Sequence, residues 1–470
     1  MESLLSPVLN RKLLLCAIAS FLGFLLLSCS LQRASRPSTA IASLTHLEST
    51  SAMADLAGVS VPAPAPQPAT AATIYSPPPQ SAMEVEMVAA SPSELVLAMN
   101  SSPGSSQAVH PSPPADGGEE TTVEEKKCDI FEGKWVFDRW RYPLYQPHWC
   151  PFLSDQVSCR RNGRPDSEYE HWRWQPSGCD LPRYNGREML EKWRGKRVVI
   201  VGDSLNRNMW ESLACMLYSS VRKERAVVKQ RSSDYKLFRA LDYDCSVEFF
   251  WSPFLVELKE REDHAKILKL DKIFANGRRW LGADVMIFNT GHWWMHHGKM
   301  RAWNYFQRGD QVTEDMEAAV AFNRALRTWA RWVDRNVNPR KTIVFFRSIS
   351  PEHKTENLHF CYNQTKPITN ERYVQWFPKS MVDIVERTIR KMTIPVTYLN
   401  ITRLSEYRRD AHTAIYTSRQ GKLLTIEQRL DPTRHADCSH WCLPGLPDTW
   451  NVLLFASIMT SSSSIISSTN

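Results

Sequence analysis

No Cys-x-x-Cys pair occurs in this chain of 470 residues, and no glycine-rich phosphate-binding loop occurs either. The first absence weighs against a cysteine-built zinc site. Cys438, His440 and Cys442 stand close together, but they lack the paired spacing of such sites, and no metal is expected. The second leaves no signature for a bound nucleotide. Residues 32–127 have few aromatics and no hydrophobic period; they are rich in Ala, Ser, Pro and Thr, as in VPAPAPQPATAATIYSPPPQ. A segment of that composition cannot bury a core, and it is expected to form a disordered stem. It also leans acidic, so the rest of the chain is more basic than the overall net charge of +8 implies. A basic surface suits a polyanion, or it is simply a solvated face.

The N-terminus supplies a long apolar run. Arg11 and Lys12 precede residues 13–31, which are 19 residues without a charge. As a helix this run is roughly 28 Å long, enough for a thin bilayer. The two basic residues place the short tail before it in the cytosol and everything after it in the lumen. Residues 1–31 therefore read as a cytoplasmic tail and a signal-anchor transmembrane helix. A cleaved signal peptide is the competing reading, because Ser28, Cys29 and Ser30 are small. Tail, single span and stem together describe a type II membrane protein, a plan common among Golgi enzymes. A luminal location also speaks against a nucleic-acid partner. Nine cysteines lie beyond the apolar run, and in an oxidising lumen most of them should pair. Sequons at Asn100, Asn363 and Asn400 fit the same route as glycosylation sites.

Two units follow the stem. Residues 128–181 hold four cysteines and Trp135, Trp140, Trp149, Trp172 and Trp174, with almost no aliphatic period. Such a unit is held by cross-links rather than by a large core. Its indoles read equally as a sugar-binding surface or as the core of a small domain. In residues 182–458, short apolar runs at 197–202, 284–291, 342–350 and 395–402 predict strands buried on both faces. Helical spacing at 205–218, 315–335 and 380–392 lies between them. Alternation of this kind implies an α/β fold, a central parallel sheet between helices. Residues 459–470 form a polar tail. Ligands of such sheets gather at the carboxyl ends of strands, where Ser204, Asn289, Arg347 and Ser348 all fall.

In VGDSLNRNMW, the strand ending at Gly202 delivers Asp203 and Ser204 to the start of a helix. Alone, that makes Ser204 a helix cap or a nucleophile. A nucleophilic serine needs a base, and the base needs an orienting partner. HADCSHWCLPGLPDTWN places Asp437 three residues before His440, between two cysteines and ahead of a Pro/Gly turn. The two motifs together favour a Ser-His-Asp triad.

At these residues the chain resembles the GDSL-type SGNH esterases. CDIFEGKWV, NGRPDSEYEHWRWQP, VGDSLNRNMWESL, FNTGHWW and DCSHWCLPGLPDTWN, in that order, resemble the plant trichome birefringence-like proteins, which are Golgi polysaccharide O-acetyltransferases. The resemblance covers about residues 128–458. It implies an SGNH-like α/β/α sandwich, with Ser204 as nucleophile, His440 as base and Asp437 as its orienting residue. Oxyanion donors would be the Ser204 N–H, Asn289 and Arg207, although the usual SGNH glycine block has no clear counterpart. His292, Trp293 and Trp294 would line the acceptor groove; core packing is the other reading of the Trp pair. The implied disulfides are Cys128–Cys179, Cys150–Cys215, Cys159–Cys442 and Cys361–Cys438, leaving Cys245 free. No cofactor is expected to stay bound, but an acetyl donor is needed, acetyl-CoA or an acetylated carrier. The acceptor would be a cell-wall polysaccharide such as xylan, pectin or another hemicellulose. Other polysaccharide-synthesis proteins are conceivable partners. An acetylesterase has the same triad, and a non-catalytic glycan-binding protein is the reading from another class.

Overall fold

The computed structural model describes residues 128–232, 234–355, 359–369 and 379–466. The expected membrane span, the stem and Asn100 lie outside them. Among the described residues no helix is long and apolar enough to cross a membrane.

A hairpin opens the described chain, β1 (Gly133–Phe137) against β2 (Trp172–Pro176). The larger domain is then built on β3 (Arg197–Gly202), whose residues 198–202 are fully buried. Val198 and Ile200 point into one hydrophobic cluster, Val199 and Val201 into another. A strand that is apolar on both faces must be covered on both, and helices supply the cover. Four further strands of the same sheet are β4 (Ala226–Ser232), β5 (Tyr235–Ala240), β6 (Cys245–Trp251) and β9 (Val285–Phe288), counting β7 (Val256–Glu260) and β8 (Lys266–Ile273) in between. After β10 (Tyr305–Arg308) and β11 (Gln311–Thr313) come β12 (Ile343–Arg347) and β13 (Val396–Leu399).

The seven-stranded order is β13-β12-β9-β3-β6-β5-β4. Strands β13 to β6 run parallel, whereas β5 and β4 are antiparallel. The sheet is therefore mixed, which corrects the expectation of a parallel one. The reason lies in the connections. Only Leu241–Tyr243 and Asp244 separate β5 from β6, with Asp244 at φ 44°, a tight turn that can join only antiparallel strands. In addition, β5 (YKLFRA), one strand in from the β4 edge, alternates buried and more open positions, unlike the all-apolar runs from which strands were expected. A second sheet, β11-β10-β8-β7, packs its Leu268, Leu270 and Phe306 into the Val199–Val201 side.

Helix α1 (Gly186–Lys192) precedes β3, and α2 (Ser204–Tyr218) follows it directly. Helices α3 (Ala318–Asn336) and α4 (Lys379–Ile389) bury Phe322, Trp329 and Val385 on the Val199 face. On the other face, Leu205, Trp210 and Leu213 of α2 meet Trp450 and Leu453 of α5 (Leu446–Ile466). That last helix runs into the segment read as a polar tail, 459–470, as far as Ile466.

The Cys/Trp-rich unit divides its indoles between the two readings. Trp174 is buried, stacks edge-on to Trp135 at 5.5 Å and donates to the Ile130 carbonyl. Trp135 donates across to the Leu404 carbonyl, and Trp172 packs on Phe137. Trp174 is core and Trp135 packs against it, whereas Trp172 is half-buried against the exposed Phe137. Trp140 and Trp149 remain exposed. Disulfides join Cys128–Cys179, Cys150–Cys215, Cys159–Cys442 and Cys361–Cys438. Cys245 is a buried free thiol, and burial pushes its pKa up to about 12. Asn363 is exposed at φ 57°, and Asn400 is half-buried.

Tyr145 of the N-terminal unit donates to Asp448 in the first turn of α5, as does Ser212 of α2. Burial raises Asp448 to about 7 despite these bonds and the Gly445 N–H. A carboxyl raised on folding stabilises fully below its unfolded pKa, and that contribution is lost as pH rises through the folded value. The melting temperature of the wild type should therefore fall between about pH 4 and pH 7 relative to Asp448→Asn. Thermal unfolding of both proteins across that range checks it; parallel curves would refute the assignment.

Candidate active site

Ser204 is the first residue of α2, and Asp203 caps the helix by accepting from the Leu205 N–H at 2.9 Å. Ahead of it, Gly202 lies against the Asn289 carboxamide and carbonyl, and a Cβ there would overlap them. The third participant is Asn289 itself. It accepts from the Asp203 N–H at 3.3 Å and donates to Asp203 Oδ1 at 3.2 Å. Buried at the end of β9, Asn289 thus fixes the Gly202-Asp203 turn, and this bond engages the amide expected to serve an oxyanion. Arg347, at the end of β12, lies beneath, donating to Asn206 Oδ1 at 2.8 Å and to the Ser348 carbonyl. Burial pushes Arg347 down to about 10, while the Asp203 charge acts the other way. Ser348 accepts from the Ile401 and Thr402 N–H groups and ties β12 to the end of β13.

Asp437 and His440 lie on the strand Asp437–Trp441, paired with His412–Ala414. Asp437 Oδ1 accepts from the N–H groups of Ser439 and His440, and Oδ2 faces His440 Nδ1 at 2.8 Å. Burial alone would raise Asp437; the His440 ring and these two N–H groups hold it well below the usual carboxylate range. An ionised Asp437 makes Nδ1 the protonated nitrogen and leaves a lone pair on Nε2. The neighbouring Cys438 and Cys442 are both in disulfides.

The first turns of α2 and this strand are clamped together. Asn208 donates to the Trp441 carbonyl at 3.2 Å and accepts from the Trp441 N–H at 2.9 Å. Arg207 donates to Gln156 Oε1 at 2.7 Å, and the Gln156 amide nitrogen lies 3.2 Å from His440 Nδ1 and 3.5 Å from Nε2. Ser204, Arg207, Asn208 and Glu211 share one helix face. That face carries Ser204 toward the strand of His440. Among the described residues no hydrogen bond joins Ser204 to His440; apo sites often tighten only with substrate bound.

The expected groove residues are placed differently. Trp294 is core, donating to Thr290 Oγ1 and packing on Phe254 and Phe322. His292 is buried: Nδ1 meets Glu352 at 3.0 Å and Nε2 the Ser350 carbonyl at 2.7 Å. Both nitrogens face acceptors, so both carry protons. Burial opposes that charge, but Glu352 outweighs it and raises the pKa of His292. Burial would raise Glu352 too, yet His292, Lys354 and Ser439 hold it far below normal. Glu352 accepts from Ser439 Oγ at 2.6 Å, so this cluster braces the His440 loop from behind instead of lining a groove. Trp293 is half-buried, edge-on to Trp251 at 5.5 Å. Trp251 pairs with Gly202 in the sheet, and Arg207 lies 5.9 Å over its ring. Trp251, Gln156, Asn208 and Glu352 were not expected at the site. Only Trp251 left a trace, as an aromatic ending the run CSVEFFW.

A serine at a strand-to-helix turn and an Asp-braced histidine, on a mixed α/β sheet, define an acyl-esterase-like class. Residues 181–457 match the GDSL/SGNH-like acyl-esterase family found in Pmr5 and Cas1p (PC-esterase), and residues 126–180 match the PMR5 N-terminal domain. The chain belongs to this PC-esterase family. It is 45% identical over 349 residues to Protein trichome birefringence-like 1 of Arabidopsis thaliana, covering 71% of this chain and 62% of that one. Protein trichome birefringence-like 3 of the same plant is 42% identical over 348 residues, 71% of this chain and 80% of its own. Xylan O-acetyltransferase 6 of Oryza sativa subsp. japonica is 43% identical over 350 residues, 70% of this chain and 62% of its own. The match thus spans less than two thirds of the first and last of these relatives.

Gly202→Ala should destabilise the protein by about 1–3 kcal/mol, as the added methyl displaces Asn289 from Asp203. Denaturant unfolding measures it; an unchanged midpoint would show that the turn tolerates a side chain.

Proposed function

We propose that the protein is an O-acetyltransferase that moves an acetyl group through acetyl-Ser204 onto a hydroxyl of a plant cell-wall polysaccharide. The observation that carries the reading is the Asp437–His440 couple, locked by Asn208–Trp441 to the helix that begins at Ser204. Relatives named xylan O-acetyltransferases support xylan as the first acceptor to test.

In the first half-reaction, Ser204 Oγ attacks the acetyl carbonyl carbon and its proton passes to His440 Nε2. The tetrahedral intermediate collapses, and His440 returns the proton to the departing donor group. In the second, a sugar hydroxyl loses its proton to His440 and attacks acetyl-Ser204; Ser204 leaves and takes the proton back. Asp437 stabilises the imidazolium in both. The Ser204 N–H at the start of α2 and the Arg207 guanidinium one turn on would receive the oxyanion. The donor is acetyl-CoA or an acetylated carrier. Anchoring by residues 13–31 would put this chemistry in the Golgi lumen, where its polymeric acceptor is made.

With acetyl-CoA and p-nitrophenyl acetate as donors and deacetylated xylan as acceptor, NMR of the polysaccharide should reveal new O-acetyl groups. Ser204→Ala should lower their formation by a factor of about 10³ or more. Equal activity in that variant would remove Ser204 as nucleophile. Acetate release without acetylated sugar would make the protein an acetylesterase, and no reaction with any donor would favour a glycan-binding role.

A further inference from the structure

Two histidines that the proposed reaction does not use lie end to end behind the His440 strand. His353 follows Glu352 in the chain, and His412 opens the strand His412–Ala414, which pairs with Asp437–Trp441. Both are buried. His353 Nε2 meets the Glu406 carbonyl at 2.9 Å, His353 Nδ1 meets His412 Nε2 at 2.7 Å, and His412 Nδ1 meets the His440 carbonyl at 3.0 Å. The two ring centroids are 4.9 Å apart, close to the full separation that two imidazoles can have at this N···N distance. Each nitrogen therefore points outward in its own ring plane at the other. A ring carbon in either place would drive its hydrogen into the neighbour, so neither ring can be turned over.

These three contacts fix where protons must be. A carbonyl only accepts, so His353 Nε2 and His412 Nδ1 both carry a proton. A neutral imidazole has one N–H, and both are then spent. His353 Nδ1 and His412 Nε2 would be left as lone pairs facing each other at 2.7 Å. The other tautomer of either ring would fill that gap, but it would leave a carbonyl facing a lone pair instead. Three contacts need three protons, and two neutral rings bring two.

We infer that His353 and His412 form a buried proton-binding site: they hold a third proton between them as a monocation, and that proton fastens the His353 loop to the back of the His440 strand. The surroundings fit one positive charge. His412 stacks on the Trp441 indole at 3.7 Å, and the face of an indole attracts a cation. Burial opposes the charge on both rings, and Arg409 opposes it on His353; the Glu406 and His440 carbonyls, Glu352 and Asp437 favour it. Of the other charged groups nearby, Arg408 and Asp410 close on each other, and Lys354 closes on Glu352 and Ser439. Arg164 is held by Asp166 and the His412 carbonyl. The facing lone pairs decide the direction. The pair takes up its first proton more readily than a free histidine does, and its second far less readily, because no nitrogen is left to receive it. This proton count does not depend on the roles proposed for Ser204 and His440.

Denaturant unfolding of the full-length chain and of His412→Phe, between about pH 5 and pH 8, tests the inference. Phenylalanine keeps a ring against Trp441 but binds no proton, and it leaves His353 neutral with its N–H on Glu406. The folded wild type then holds one proton more than the folded variant, whereas the unfolded chains differ by one ordinary histidine of pKa about 6.5. The ratio of wild-type to variant folding constants should be level below about pH 6 and fall by up to tenfold per pH unit above about pH 7. A neutral pair gives the opposite sign, a ratio that climbs up to about pH 6.5 and is level beyond it, and that result would overturn the inference. Loss of packing alone cannot produce the falling limb. Should the variant not fold, heteronuclear NMR of the wild type with isotope-labelled histidine decides the matter. A proton coupled to one nitrogen of each ring is expected; an unprotonated nitrogen on each of the two rings would overturn the site.

Discussion

The segment between Cys150 and Cys159 is the constraint on which the site depends. One end is bonded to the helix that begins at Ser204, the other to the strand that carries His440. Neither bond closes a loop within the N-terminal unit; each crosses to the larger domain. The segment acts as a strap over two elements that meet nowhere in sequence, and Gln156 lies at the point where both come together. The N-terminal unit is thus part of the site's structure, which the matched family boundary at residues 180 and 181 conceals.

Beneath the serine, polar groups are buried at a density that a plain hydrophobic core would not support. Asp203, Asn206, Asn289 and Arg347 all have essentially no exposed surface. Buried polar atoms are tolerated when they bond to one another, and most of these do. Asp203 Oδ2 and Arg347 Nη2 lack a hydrogen-bond partner among the described residues, but they belong to opposite charges that attract each other. The result is a turn that cannot drift: Gly202 has no room for a side chain, and Asp203 is held from both sides. A second charge cluster, buried His292 with the partly exposed Glu352 and Lys354, does the same for the loop of His440 through Ser439.

Much of this was legible because it is written in short-range patterns. Runs such as RVVIVG are apolar on both faces, so they had to be interior strands, and all four of those expected join one sheet. The Gly-Asp-Ser turn and the Asp-x-x-His spacing are local geometry, and both appear as read. The antiparallel edge escaped because YKLFRA alternates like a surface strand and carries no interior signature. Trp294 took the core-packing reading, and His292 was misplaced, for a different reason: residue type does not say which face of a loop is open. His292 found a carboxylate in Glu352, far along the chain, and was drawn inward with it. Gln156 gave no signal at all, since an isolated glutamine among cysteines acquires meaning only when two distant elements fold against it.

The bond between Cys159 and Cys442 spans 283 residues. During synthesis Cys159 emerges from the ribosome long before its partner exists, and until then it is an open thiol among other thiols. The site therefore cannot be assembled from any early part of the chain. It closes only after translation has passed Cys442 and an oxidant has acted. A truncated or reduced chain lacks the finished site, so the covalent bond doubles as a record that the molecule is complete.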